Sequence, residues 1–163
     1  MCIRDSRKAG RSAGDLADAL AEAKAMAINR SGLILGADQI LSFNSKTFDK
    51  ARDLDEARAQ LKRLRGKRHE LLSAAVIVEN GSVIWRHTGR ARLTMRNFSD
   101  VFLEDYLRNE GAAVLTNVGG YRIEACGAQL FSGISGDYFS ILGLPLLDAV
   151  SYTHLTLPTT PYV

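Results

Sequence analysis

The chain has 163 residues, 46% hydrophobic and 24% charged, the balance of one globular domain and not of a disordered, collagen-like or disulfide-stapled chain. Its 21 Lys and Arg against 18 Asp and Glu leave a net charge of +3, which suits an anionic ligand but is too small to argue for nucleic acid by itself. No apolar run reaches the roughly 18 residues a membrane span needs, nothing in the opening residues reads as a secretory leader, and the two distant cysteines, Cys2 and Cys126, give neither a disulfide framework nor a zinc site, which fits a reducing cytoplasm.

The ends differ from the middle. Two of the three prolines, Pro158 and Pro161, fall in the last six residues, and the stretch 151–163 has no charged side chain unless His154 is protonated. Residues 1–6 are equally unlike the interior of the chain. Both ends read as non-native, adapter-like translations, which leaves 7–150 as the domain. A helix that begins at Leu144-Pro145-Leu146-Leu147, with proline in its first turn, is cut short there.

Within the domain, the alanine-rich run 15–28 predicts a helix capped by Asp15. Residues 33–41 read as a buried strand interrupted by Asp38-Gln39. A second helix, 54–65, places Leu54, Ala57, Leu61 and Leu64 on one face, with Asp53 and Glu56 approximating a capping box and Gly66 stopping it. Strands over 69–79 and 82–95 are joined at Asn80-Gly81, a strong hairpin signal. A third helix starts from Ser99 and closes at Gly111, and the glycine-rich stretch 117–147 carries short apolar runs. Helices alternate with strands, but the hairpin breaks that pattern, so the fold class is α/β with a mixed, twisted sheet flanked by helices.

A few side chains stand out chemically. Asp38 is a carboxylate in an apolar strand, costly to bury unless it meets a metal, a cation or water in a cleft; its plainer role is a turn cap after a strand ending at Gly36. Lys24 shares the stripe of Leu16 and Leu20, so its ammonium either snorkels outward or enters an anionic site. Lys50 precedes the second helix, where an ammonium meets a phosphate or simply stays solvated. Glu124, alternating with Ile123, is a second candidate buried carboxylate. The basic run 62–68 has the charge to grip nucleic acid, but Leu64 faces the core, the cations complement a helix C-terminus, and no aromatic residues interleave them, so it reads as a solvated face. His69, His87 and His154 lack metal-ligand spacing, and Ser73 lacks a nucleophile elbow.

Taken in order, Lys24-Ala25, Gly36-Ala37-Asp38-Gln39, Lys50, Gly66-x-x-His69, Gly119-Gly120-Tyr121-x-x-Glu124 and Gly136-Asp137-Tyr138 with Gly143-Leu144-Pro145-Leu146 resemble the Maf family of nucleoside triphosphate pyrophosphatases over nearly all of 17–150. The resemblance implies a two-lobed architecture like that of inosine triphosphatases with a central cleft, a homodimer, and hydrolysis between the α and β phosphates with a divalent metal, Mg2+ or Mn2+. It makes Asp38 the acceptor of the attacking water's proton and the candidate metal ligand. Lys24 and Lys50 would neutralise the triphosphate, and Gln39 and Glu124 would select the base. Glu124, where the dTTP and UTP branch has Gln, resembles the 7-methyl-GTP branch. Two departures stand beside this. Residues 7–14 hold nothing like the family's S-x-S-P-R-R loop or the acidic pair after it, and Ala51 replaces the usual proline after Lys50. The expectation is a domain lacking its first strand and last helix, with impaired activity. The alternative is a non-catalytic nucleic-acid-binding or division-control module, suggested by an isoelectric point near 9.0 and the basic run.

Overall fold

The structure is a computed structural model in which residues 12–156 are described; the expectations for 1–6, Cys2 and 157–163 lie outside them. Helix α1 spans Ala13–Met26 and is capped by Ser12, not Asp15. The Ser12 hydroxyl accepts the Asp15 N–H at 3.2 Å and donates to the Asp15 carboxylate at 2.7 Å. Ser12 has the extended backbone a cap requires, which makes Asp15 the third helical residue.

Strand β1, Leu33–Phe43, turns at Asn44 and Ser45, both at positive φ, into the short β2, Lys46–Phe48. β2 has no counterpart in the sequence pattern, because three residues carry no alternation and the turn contains no glycine. Helix α2, Leu54–Leu64, is capped by Asp53, which accepts the Glu56 N–H at 2.8 Å. The long hairpin of β3, Arg68–Glu79, and β4, Ser82–Met95, turns at Asn80 (φ 49) and Gly81 (φ 77), the left-handed pair that a two-residue turn requires. Helix α3, Asp100–Glu110, is capped by Ser99. Two short 3-10 turns, Gly111–Leu115 and Cys126–Leu130, lead to β5, Phe131–Ser135. The short helices α4, Tyr138–Leu142, and α5, Leu146–Val150, come next. Ser151–Thr156 continues as a π-helix, and Tyr152 stacks on Trp85 with 5.6 Å between ring centres.

The five strands form one sheet in the order β2-β1-β3-β4-β5. The α/β class is as expected, but the mixture of strand directions is not found: every pairing among the described strands is antiparallel. The reason lies between β1 and β3, where a hairpin and a helix reverse the chain an odd number of times. Among the described residues no helix is long and apolar enough to cross a membrane.

The pleat of β1 divides the core. Ile34, Gly36, Asp38 and Ile40 face α1, where Leu16, Ala17, Leu20, Ala21 and Ala25 pack on Ala74, Val76 and Val78. Leu41 and Phe43 face the opposite core under α2 and α3, with Leu61, Leu64, Leu71 and Leu103. Gly36 permits the closest approach: a Cβ there would sit 2.2 Å from the Ala21 carbonyl oxygen. β1 is less buried than expected at its start, with Leu33 and Leu35 at 48% and 45% exposure. The cause is pairing. β2 covers β1 only at Leu41, Ser42 and Phe43, so over 33–40 one edge of β1 is open among the described residues.

Candidate functional site

Asp38 and Gln39 lie in the middle of β1, just where the pairing with β2 stops, so the turn-cap role for Asp38 does not apply. Consecutive strand residues point to opposite faces, and the two side chains therefore open onto two neighbouring hollows. The larger, about 620 Å³, is walled by Lys24, Asp38, Gln39, Asp49, Lys50 and Val118. The smaller, about 150 Å³, is walled by Gln39, Asn117, Tyr121, Arg122, Glu124 and Ile141 among others. Gln39 and Val118 belong to both walls, so the hollows form one cleft across the open edge of β1.

In the larger hollow, the close seat of α1 on Gly36 brings Lys24 over the strand. Its ammonium donates to the Asp38 carboxylate at 2.5 Å and to the Ala37 carbonyl at 3.0 Å. An ammonium has three protons, so one remains for a ligand. The Asp38 side chain is 16% exposed and Lys24 55%, which leaves the pair open to the cleft. Asp38 is thus neither an orphaned buried charge nor a fully solvated one, and its second oxygen can still accept. Lys50 is held by a backbone bridge to Val118 and makes no ion pair among the described residues. Asp49, which no sequence pattern singles out, adds a second carboxylate to the wall. Among the described residues no three acidic, His or Cys side chains converge into a metal cage. Asp38 and Asp49 suit a hard cation that keeps water and phosphate oxygens as its other ligands.

The smaller hollow is built differently. Glu124 was expected to be a buried strand residue, but it is exposed and sits in a turn. The physical reason is the backbone before it, where Gly119 (φ 82) and Gly120 (φ 74) curl the chain instead of extending it. Three tethers then hold the curl. The Tyr106 hydroxyl donates to the Gly120 carbonyl at 3.0 Å. The buried His69 ring meets the Tyr121 hydroxyl through Nε2 at 2.7 Å, and its Nδ1 has no partner among the described residues. Burial pushes His69 down to about 4, so the ring is neutral at pH 7. Finally, the Glu110 carboxylate, only 4% exposed, accepts from Nη2 of Arg122 at 3.0 Å and from the Cys126 N–H at 3.2 Å.

Gln39 faces this side and donates from Nε2 to the Ser73 hydroxyl at 2.9 Å and to the Ser140 and Ile141 carbonyls at 3.1 and 2.9 Å. Sequence reasoning weighed Ser73 only as a nucleophile, and missed Ser140 and Glu110. Glu110 left a trace, since an acid in the last turn of a helix opposes the helix dipole and so suggests another partner. The basic run 62–68 is an exposed face, as expected, and most of its cations rest on the protein's own groups. Lys62 and Arg65 pair with Asp100, while Arg63 and Lys67 lie over the Phe48 and Phe43 rings.

An α/β sheet with a cleft across one open strand edge, cationic at one end and narrow and polar at the other, is the class of protein that this fold and site define. The chain belongs to the Maf family: the model of that family, described as Maf-like protein, matches residues 3–154. It is similar to a nucleoside triphosphate pyrophosphatase of Hyphomonas neptunium, at 49% identity over 144 residues, 86% of this chain and 73% of that protein. A nucleoside triphosphate pyrophosphatase of Caulobacter vibrioides is also 49% identical, over 86% of this chain and 72% of its own. A 7-methyl-GTP pyrophosphatase of Rhizobium meliloti is 46% identical over 87% of this chain and 73% of its own.

Proposed function

We propose that this chain is a nucleoside triphosphate pyrophosphatase, releasing a nucleoside monophosphate and pyrophosphate. The observation that carries the reading is the Lys24–Asp38 pair on the open edge of β1, facing Lys50 across the same hollow. Hydrolysis of a phosphate anhydride needs a carboxylate for the attacking water and cations against the charge of the triphosphate. Asp38 takes the proton of a water that attacks the α phosphorus. The bond from that phosphorus to the bridging oxygen breaks, and pyrophosphate leaves with the electron pair. Lys24, held by Asp38 and the Ala37 carbonyl, offers its remaining proton to a phosphate oxygen, and Lys50 supplies a second cation. A divalent ion, Mg2+ or Mn2+, would be held by Asp38 and Asp49 with phosphate oxygens and would supply further charge neutralisation.

The base would lie in the smaller hollow between Gln39 and Glu124. A carboxylate suits the N–H edge of guanine, and a positively charged methylated base strengthens that attraction, which supports 7-methyl-GTP as substrate. The named Rhizobium meliloti relative agrees with this reading. Pyrophosphate release from 7-methyl-GTP, GTP, dTTP and UTP with Mg2+ or Mn2+ tests both parts. Preference for the guanine nucleotides is expected, and no release from any of the four overturns the reading. The same reading carries a homodimer in the cytoplasm. Sedimentation at about twice the 17.8 kDa chain mass supports the dimer, and a monomer at assay concentration removes it.

A further inference from the structure

The groups around Gln39 decide which way its amide faces. Its inner partners are the Ser140 and Ile141 carbonyl oxygens, which only accept, and the Ser73 hydroxyl. That hydroxyl already donates to the Ser140 carbonyl at 2.6 Å, so it too can only accept from Gln39. Turning the amide over would set Oε1 against three oxygens with no proton to give. Ser73 and Ser140 are both buried, so water does not offer an easy substitute. Nε2 must therefore point inward, and Oε1, which receives no bond from any described residue, is the free end.

The clamp is itself fixed. Asp137 accepts the Ser140 N–H at 2.7 Å, and Gly89 on β4 leaves room for Ser140, since a Cβ there would come within 2.5 Å of its hydroxyl. The other donors of the smaller hollow are drawn elsewhere. Tyr121 is bonded to His69, the Asn117 amide donates to the Tyr121 carbonyl at 3.5 Å, and Arg122 turns Nε and Nη2 to Glu110. The Gln39 Oε1 and the Glu124 carboxylate receive no hydrogen bond from any described residue, and both are acceptors.

We propose that Ser73 is a positioning residue which, with the Ser140 and Ile141 carbonyls, holds Gln39 with its oxygen toward the base, so that the hollow selects a base edge made of N–H donors. The proposal rests on the pyrophosphatase reading for its substrate. Guanine presents two adjacent donors, N1–H and the 2-amino group. Adenine presents an acceptor at N1, which would face Oε1 or the carboxylate. A site built to pair with a donor rejects an analogue that lacks it.

The test compares GTP with ATP. The wild-type chain is expected to favour GTP in kcat/KM. Ser73→Ala frees the amide to turn, and the GTP-to-ATP ratio falls by about fivefold or more, mainly through the KM for GTP. Ser73→Thr restores the hydroxyl and most of the ratio. A merely structural serine would lower the melting temperature and leave the ratio alone, and that result overturns the proposal. If Ser73→Ala does not fold, Gln39→Met serves in its place: it removes the amide, and an unchanged ratio is equally fatal. Calorimetric binding of GMP and AMP separates this inference from the reading beneath it. GMP preference that Ser73→Ala diminishes, in a chain that hydrolyses no triphosphate, supports the positioning role and removes the pyrophosphatase reading. Equal binding of GMP and AMP to the wild type removes the positioning role, whatever the chain hydrolyses.

Discussion

At the Lys24 end of the cleft Lys24, Asp38 and Lys50 keep capacity for a ligand, whereas at the Glu124 end most polar atoms are already bonded to the protein. Lys50 has no ion pair among the described residues, Lys24 keeps one proton, and Asp38 keeps one oxygen. Across β1, Gln39, Tyr121 and Arg122 are held by Ser73, His69 and Glu110. The difference stems from what each end would do. Neutralising a triphosphate needs charge that is positioned but uncommitted. Reading a base needs donors and acceptors that cannot turn over, and a dense set of internal hydrogen bonds fixes their sense.

The sharpest way to separate the ends is Asp38→Asn. It should lower pyrophosphate release by about 10³-fold while leaving the GMP-over-AMP binding ratio intact. A change in that ratio would mean that the ends are not independent. Next in size is the response to acid at the Glu124 end. Folded His69 titrates at about 4 against an ordinary 6.5, so the unfolded chain binds its proton first. The contribution of the neutral ring is complete above 6.5 and is lost as the pH falls toward 4, by up to about 3 kcal/mol. Urea unfolding across that window should show a steeper loss in the wild type than in His69→Gln. Parallel curves would refute this assignment.

Gly36→Ala addresses the Lys24 end without touching a charge. The added methyl meets the Ala21 carbonyl, and lifting α1 to relieve it draws Lys24 from Asp38. A stability loss of about 2 kcal/mol is expected, with activity falling by a larger factor than binding of the base. Thermal melts and steady-state kinetics on one preparation check it. The smallest effect belongs to Glu110→Gln. The amide can still accept from Arg122 or Cys126 but no longer carries charge, so stability should drop by about 1 kcal/mol. Base discrimination should weaken while the maximal rate holds, and a rate that falls instead would tie this tether to the chemistry.

The two ends also differ in how far the sequence reveals them. A carboxylate within an apolar strand and a lysine on an apolar helix stripe are anomalies that local pattern exposes, and the fold brings Lys24, Asp38, Lys50 and Gln39 to one hollow. The Ser99 cap and the Asn80-Gly81 hairpin are equally legible, because each depends on adjacent residues. The acceptor clamp is not, since Gln39 and Ser140 are separated by 101 positions and meet only after β4 and α4 pack. Glu124 misleads for a related reason. Its alternation with Ile123 resembles a strand, but paired left-handed glycines and distant tethers set the backbone there. The sheet's direction is missed with β2, whose three residues supply the extra reversal.

The pleat of β1 also ties the cleft to strand register. Asp38 stands opposite Ala74 and Gln39 opposite Ser73, so neighbouring residues serve opposite sides of the sheet. A slip of one position between β1 and β3 would therefore not blur the cleft but invert it, carrying the carboxylate toward the acceptor clamp and the amide under the lysine. Inserting a single residue between Leu35 and Asp38 should accordingly be worse for the protein than inserting two. Odd and even lengths in this strand are distinct genotypes, and parity, more than length, is what the site must conserve.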